Sequence, residues 1–145
     1  MKKIIDEVKQ DKRYTNITVK AENNIEEALS KADIIGTTTT SFRPLGKFNN
    51  LKSSVHINCM GNHTKDSREI PKCILEASSL IVEHIPTAIK EAGNIHSVAT
   101  EVKNLKNLDK GILYSNRTIF SSTGHAFLDI IVVSFLKKIL SLENL

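Results

Sequence analysis

The segment from Ala32 to His63 constrains the fold most, because it holds two apolar strands that each end in a polar loop. The first strand, ADIIGT, runs into a hydroxyl-rich stretch ending at Ser41, and the second, SSVHIN, runs into the loop CMGNHTKDS. This pattern is typical of an open parallel sheet, in which ligands bind beyond the carboxyl ends of the strands. We therefore expect any binding site of this chain to involve these two loops.

The flanking patterns predict an α/β fold in which helices and strands alternate, except that no good helix joins the strands at 33–38 and 54–58. Predicted strands cover residues 16–19, 33–38, 54–58, 80–82 and 118–121. Predicted helices cover residues 2–12, 25–32, a short stretch after Pro71, 87–92, 98–108, and the segment from Gly124 to about Leu142. Asn24 is expected to cap the second helix and Gly93 to end the fourth. The apolar run at 33–38 further predicts a sheet that is covered on both faces.

The size and composition of the chain argue against some classes of function. A chain of 145 residues suits one domain with a sizeable core. A net charge of +4 carried by scattered lysines, with only 5% aromatic residues, argues against a nucleic-acid partner. The most apolar stretch, AFLDIIVVSFLKKIL, is short and interrupted by charges, so no membrane span is expected. Two cysteines without a CxxC pair and no secretory signal favour a cytoplasmic protein.

The residues by themselves suggest little chemistry. Neither GxGxxG nor GxxxxGK can be written with the six glycines present. His56, Cys59 and His63 lack a carboxylate or second cysteine that would complete a four-ligand set, so we expect no metal. The hydroxyls of Thr37 to Ser41 could contact a ribose or a nicotinamide amide, but threonines also simply suit the end of a strand.

Four stretches taken together resemble the ornithine cyclodeaminase/mu-crystallin family: IEEALSKADIIGTTTTSFRPL, LKSSVHINCMGNHTKDSREI, AIKEAGNI and TIFSSTGHAFLDI. Their order and spacing agree from about Asn24 to Asp129. The family includes NAD(P)-dependent alanine dehydrogenases and ketimine reductases. The resemblance implies a partial Rossmann-like (three-layer αβα) dinucleotide-binding domain over residues 1–122. It also implies that residues 123–145 form an apolar helix, which packs on a dimerisation and substrate domain.

The resemblance also places the start of this chain just after the second Rossmann strand of the family. The glycine loop, the acidic ribose-binding position and the substrate domain would then lie upstream of Met1. The chain is accordingly expected to be truncated and inactive alone. Two alternatives stay open, namely one subunit of a split enzyme with a complementing N-terminal chain, and a non-enzymatic α/β domain that self-associates. Both use the final helix, which is apolar nearly all round through Phe127, Leu128, Ile130, Ile131, Val132, Val133, Phe135, Leu136, Ile139 and Leu140.

Site residues follow from the resemblance position by position. Contacts to NAD or NADP are implied for Thr39, Met60, Gly61, Asn62, Ser67 and Ser122. Thr123 is implied to face a small amino or imino acid. His63 stands where the cyclodeaminases have a catalytic aspartate that acts as acid and base. A histidine can move a proton near neutral pH but cannot supply an anion beside an iminium. Among the family's reactions, this argues against cyclodeamination and leaves alanine dehydrogenase and ketimine reductase chemistry open.

Overall fold

The computed structural model describes residues 2–61, 63–107, 116–124 and 126–142. Five strands form one sheet: β1 (Ile34–Thr37), β2 (His56–Cys59), β3 (Ser79–Val82), β4 (Thr100–Glu101) and β5 (Thr118–Ser121). The helices are α1 (Lys2–Gln10), α2 (Ile25–Lys31), α3 (Lys72–Glu76), α4 (Ile85–Ala92) and α5 (Ala126–Leu142). Short 3₁₀ segments lie at Lys12–Tyr14, Asn94–Val98 and Val102–Asn107. This architecture confirms the predicted α/β class.

The strand order is β1-β2-β5-β3-β4, and every neighbouring pair is parallel. The last strand in the chain is therefore inserted between β2 and β3. Thr37, Cys59 and Ser121 share one level of the register across β1, β2 and β5. As a result, the loops that follow these three strands leave the sheet side by side, along the edge where ligands bind in open α/β sheets.

The core lies around the central strands. Ile57 and Ile119 are completely buried there, and Phe48 and Leu75 pack into the same cluster. The prediction of cover on both faces is wrong at β1, where Ile34 is 70% exposed and alternates with the buried Ile35. β1 is an edge strand with one face open among the described residues, and its apolar residues alone could not reveal this.

Two predicted helix ends are confirmed. The side chain of Asn24 accepts hydrogen bonds from the backbone N–H groups of Glu26 (3.2 Å) and Glu27 (3.3 Å) at the start of α2. Gly93 ends α4 with φ +97°, and its N–H donates to the carbonyl of Ile89. A left-handed φ of this kind favours glycine, because a side chain there would be strained.

Two predicted elements are wrong. Residues 16–19 form no strand; Ile17 there is exposed and Val19 is only half-buried, so this segment contributes little to the core. Over its described part, 98–107, the predicted helix at 98–108 is instead β4 between two 3₁₀ segments. Tertiary contacts account for this difference: β4 pairs with β3, and the Glu101 carboxylate accepts from the N–H of Ile85 (2.9 Å) at the start of α4. Such contacts outweigh weak local propensity.

Among the described helices, α5 exposes the largest number of apolar side chains. Seven large apolar residues between positions 130 and 139 are exposed, each to at least 38%: Ile130, Ile131, Val132, Val133, Phe135, Leu136 and Ile139. None of the helices that the structure describes has the length and hydropathy needed to span a bilayer.

Candidate functional site

The loops after β1, β2 and β5 form two open pockets at the carboxyl edge of the sheet, and both pockets are lined by Gly61. The larger pocket, about 700 Å³, is lined by Met60, Gly61, His63, Thr64, Glu91, Ser122, Thr123 and Gly124. The smaller, about 550 Å³, is lined by Thr38, Thr39, Thr40, Phe42 and Gly61. Six of the predicted site residues thus lie together: Thr39, Met60, Gly61, His63, Ser122 and Thr123.

One predicted site residue, Ser67, does not join them. Ser67 is buried in a tight turn, where its N–H donates to the Thr64 hydroxyl (3.1 Å) and its carbonyl accepts from the N–H of Thr64 (2.7 Å). It lines neither pocket. Asn62 lies outside the described residues, so its cofactor contact stays a prediction.

A buried carboxylate, which sequence reasoning missed, connects the two loops. Glu69 is completely buried. Its Oε1 accepts from the backbone N–H (2.6 Å) and the hydroxyl (2.5 Å) of Thr39, and its Oε2 accepts from the N–H of Gly61 (3.1 Å). Glu69 reaches Gly61 because the chain turns back on itself, with His63 and Arg68 paired as an antiparallel bridge.

Two opposing effects set the pKa of Glu69. Burial by itself raises it, because the charged form is disfavoured away from water. The nearby hydroxyls of Thr39 and Thr37 and the N–H groups of Thr39 and Gly61 together outweigh burial and hold the pKa below its ordinary value. Glu69 is therefore a carboxylate at neutral pH, the form that accepts hydrogen bonds from both loops.

His63 belongs to a buried row of polar side chains beneath the larger pocket. Its Nδ1 lies 3.3 Å from the sulfur of Cys59, and its ring meets that of His96 edge to face at 5.1 Å between centroids. His96 in turn contacts the Ser121 hydroxyl through Nε2 (3.0 Å) and the Gly93 carbonyl through Nδ1 (3.1 Å). Because a carbonyl only accepts, Nδ1 of His96 carries the hydrogen and Nε2 accepts from Ser121.

Burial lowers the pKa of His63 to about 4, and the neighbouring His96 and Arg68 act in the same direction against the opposing effect of Glu69. His63 is therefore neutral at pH 7. Burial likewise raises the pKa of the Cys59 thiol to about 11, so this cysteine stays protonated. Within the described ranges, no three His, Cys, Asp or Glu side chains are grouped so as to hold a metal ion.

Ser122 is oriented by a second carboxylate that sequence reasoning missed. Its hydroxyl donates to Oε1 of Glu83, which directly follows β3, and accepts from the N–H of Gly124 (3.3 Å). The signal for Glu83 was available, since SLIVEH places an acidic residue at the end of an apolar strand. Glu69 had no such signal, because its role depends on the turn that brings it beneath Gly61.

Gly61 has to be glycine in this arrangement. A Cβ atom built there would lie 2.5 Å from the Glu69 carboxylate and closer still to the Thr39 carbonyl oxygen. We predict that Gly61→Ala lowers the free energy of unfolding by about 1–3 kcal/mol, because the connection between the two loops must open to accommodate the methyl group. Urea denaturation followed by circular dichroism measures the change.

Gly36→Ala is the matched control for this substitution. Gly36 lies on the exposed face of β1, and a Cβ there meets no atom within 4 Å. The free energy of unfolding of the Gly36→Ala variant is expected to stay within about 0.5 kcal/mol of the wild-type value. Equal stability losses in the two variants would contradict the crowding at Gly61.

Comparison with known proteins finds relatives that match most of this chain. A Bacillus cereus Delta(1)-pyrroline-2-carboxylate reductase is 32% identical over 127 residues, which are 78% of this chain and 39% of that protein. The chain thus spans about two fifths of the length of the curated relatives it matches. In the solved structure of Thermococcus litoralis Delta(1)-pyrroline-2-carboxylate reductase with NADH and L-proline, the matching part covers 85% of this chain and 41% of that one, with 24% identity and a TM-score of 0.62.

The structure of an archaeal alanine dehydrogenase dimer with bound NAD covers 99% of this chain and 47% of its own, with 23% identity and a TM-score of 0.72. These two structural likenesses support the Rossmann-like fold. The model of the ornithine cyclodeaminase/mu-crystallin family matches residues 1–141. Since that match spans nearly the whole sequence, the chain belongs to the ornithine cyclodeaminase/mu-crystallin family.

Proposed function

We propose that this chain forms the nicotinamide side of an NAD(P) site in an enzyme that acts on a small amino or imino acid. The observation that carries the proposal is the convergence of three adjacent strand ends on two pockets that share Gly61. The family match supports it, as do the bound NADH and L-proline of the Thermococcus litoralis reductase and the NAD of the archaeal alanine dehydrogenase.

The residues present fit the nicotinamide riboside half of such a cofactor. The pockets offer hydroxyls from Thr39, Ser122 and Thr123, together with backbone groups near Gly61, and these can hydrogen-bond an amide and a ribose. The six glycines of the sequence form no GxGxxG motif to hold a pyrophosphate. Because the match spans only 39% of the Bacillus cereus relative, we propose that a further polypeptide segment supplies the phosphate site and the substrate domain.

Among the chemistries of the family, reduction of an imino acid fits this site best. The bound cofactor would supply the hydride that adds to the carbon of a C=N bond. The pocket is open, so water can supply the proton that adds to nitrogen, and the buried, neutral His63 has little capacity to exchange one near pH 7. Two curated relatives of this chain carry the names Delta(1)-pyrroline-2-carboxylate reductase and ketimine reductase mu-crystallin, which agrees with this choice.

A titration with cofactor fragments tests the proposal. Two-dimensional NMR of the ¹⁵N-labelled chain is expected to show amide shifts at Thr39, Gly61 and Ser122 on adding NADH. Reduced nicotinamide mononucleotide is expected to bind as well as NADH, with a dissociation constant of about 1 mM, because only the nicotinamide half is recognised. AMP is expected to leave these amides unmoved.

Ser122→Ala is expected to weaken binding of the mononucleotide, because the hydroxyl of a pocket-lining residue, held in place by Glu83, is lost. Ser97→Ala is the control, since Ser97 lines a separate pocket formed with α3. The proposal is wrong if neither nicotinamide compound moves the three amides, or if AMP moves them equally.

The pH dependence of stability tests the state assigned to His63. With a pKa near 6.5 in the unfolded chain and about 4 in the folded one, the unfolded state binds more protons between these values. Stability is therefore expected to fall as the pH drops from about 6.5 to about 4, by at most roughly 1.4 kcal/mol per pH unit for this residue. Urea unfolding across this range measures the slope, to which His96 also contributes because burial lowers its pKa too.

His63→Gln is expected to make stability depend less steeply on pH, because the contribution of His63 is lost while that of His96 remains. If the variant does not fold, NMR titration of the His63 ring in the wild type gives the pKa directly. A ring midpoint near 6.5 would contradict the neutral state at pH 7, as would an unchanged slope in a folded variant.

We further propose that α5 packs against another polypeptide, as residues 123–145 do in the arrangement implied by the family. Its exposed apolar residues surround the helix, and a helix that is hydrophobic all round is normally buried. The partner would be either the substrate domain on a complementing chain or, when the chain is alone, a second copy. The second case predicts that the purified chain associates with itself.

Sedimentation velocity is expected to show concentration-dependent association of the purified chain in the micromolar range. Introducing two charges one helical turn apart, Ile131→Glu with Phe135→Glu, is expected to leave a monomer, because desolvating a carboxylate in an apolar contact is costly. Lys138→Glu changes charge at an already polar position and serves as the control. A wild-type chain that is monomeric at every concentration would exclude self-association.

A further inference from the structure

We infer that Glu69 is a positioning residue. It holds the loop after β1 and the loop after β2 at a fixed separation, without itself contacting the ligand. This inference rests on the proposed function for the identity of the ligand. The connection itself is a property of the structure, since one carboxylate accepts hydrogen bonds from Thr39 on the loop after β1 and from Gly61 on the loop after β2.

The sheet does not supply this connection. Pairing between β1 and β2 ends at Thr37 and Cys59. One further backbone hydrogen bond joins the two segments, from the N–H of Met60 to the carbonyl of Thr37. Beyond that point Thr39 and Met60 are exposed. Among the hydrogen bonds of the described residues, those of Glu69 tie Thr39 to Gly61. The backbone carbonyl of Glu69 also accepts from the N–H of Leu45 (2.9 Å), which attaches the loop after β1 a second time.

Burial separates positioning from direct ligand contact. An acidic side chain near a dinucleotide could bind ribose hydroxyls, but such a group must reach the pocket. Glu69 is completely buried and lines neither pocket. Its two oxygens already accept three hydrogen bonds of the roughly four that a carboxylate can take. Its charge is thus compensated locally and does not oppose an anionic cofactor at the pocket surface.

The two loops are also held close together, because Gly61 has no Cβ to separate Thr39 from Glu69. A glutamine at position 69 has nearly the same shape but only one acceptor oxygen. Its NH₂ group would face either the Thr39 donors or the Gly61 N–H, so that at least one of these part-buried donors loses its acceptor. Glu69→Gln therefore tests the connection with little change in volume.

The first measurement needs no ligand. In wild-type chain, the amide protons of Thr39 and Gly61 are expected to exchange slowly with solvent compared with that of the exposed Thr40, and Glu69→Gln is expected to shift both resonances. The second measurement is the dissociation constant of reduced nicotinamide mononucleotide. We expect it to rise about fivefold in Glu69→Gln, because binding must then order the two loops. Val55→Ala is the control, since it removes buried volume just before β2, at the opposite end of the sheet.

Each outcome decides between the alternatives. Val55→Ala is expected to lower the melting temperature while keeping the wild-type dissociation constant. If it weakens binding as much as Glu69→Gln, the effect is one of general stability and positioning is overturned. Unchanged binding in a folded Glu69→Gln overturns it as well, as does fast exchange of the two wild-type amides. If the wild type binds no nicotinamide compound while the two amides are protected, the proposed function fails and the connection between the loops stands.

Discussion

The parallel register of β1, β2 and β5 is the constraint on which the candidate site depends. β5 comes from the end of the sheet-forming sequence yet lies between β2 and β3, so the chain must return to the middle of the sheet before the three loops become neighbours. The backbone continues this alignment one step further, because the N–H of Ser122 donates to the carbonyl of Cys59. Hydroxyls from sequence positions about 80 residues apart are thereby brought to one edge, with no glycine-rich motif involved in placing them.

Two carboxylates extend the order of the sheet into loops that have no regular structure. Glu69 joins the loops after β1 and β2, and Glu83 orients the hydroxyl of Ser122 after β5. A buried carboxylate such as that of Glu69 is costly unless several donors surround it, so Glu69 restricts the backbone that supplies its donors. The same reasoning explains Gly61, where the space that a Cβ would occupy is taken by the Glu69 carboxylate and the Thr39 backbone.

The parts of the fold that follow from local pattern could be predicted from sequence, and those that follow from distant contacts could not. The apolar runs gave β1, β2, β3 and β5, and Asn24 and Gly93 marked helix ends that the structure confirms. β4 was missed because two residues carry no detectable period, and its stability comes from pairing with β3 and from Glu101. In the site, family resemblance indicated the loop residues, but neither Glu69 nor the contact of His63 with His96 follows from spacing along the chain.

Two exposed apolar surfaces would make this chain more stable if another polypeptide covered them. The side chain of Ile34 on β1 is exposed at the edge of the sheet, and the described part of α5 exposes eight large apolar residues between positions 130 and 140. Burying one such side chain contributes roughly 1.5–3 kcal/mol, whereas a whole domain is stable by only about 5–15 kcal/mol. A polypeptide that covered even part of α5 would therefore add stability comparable with that of the isolated fold. Under the proposed arrangement, folding and association are linked, so the stability of the chain would rise with the concentration of whatever covers these surfaces.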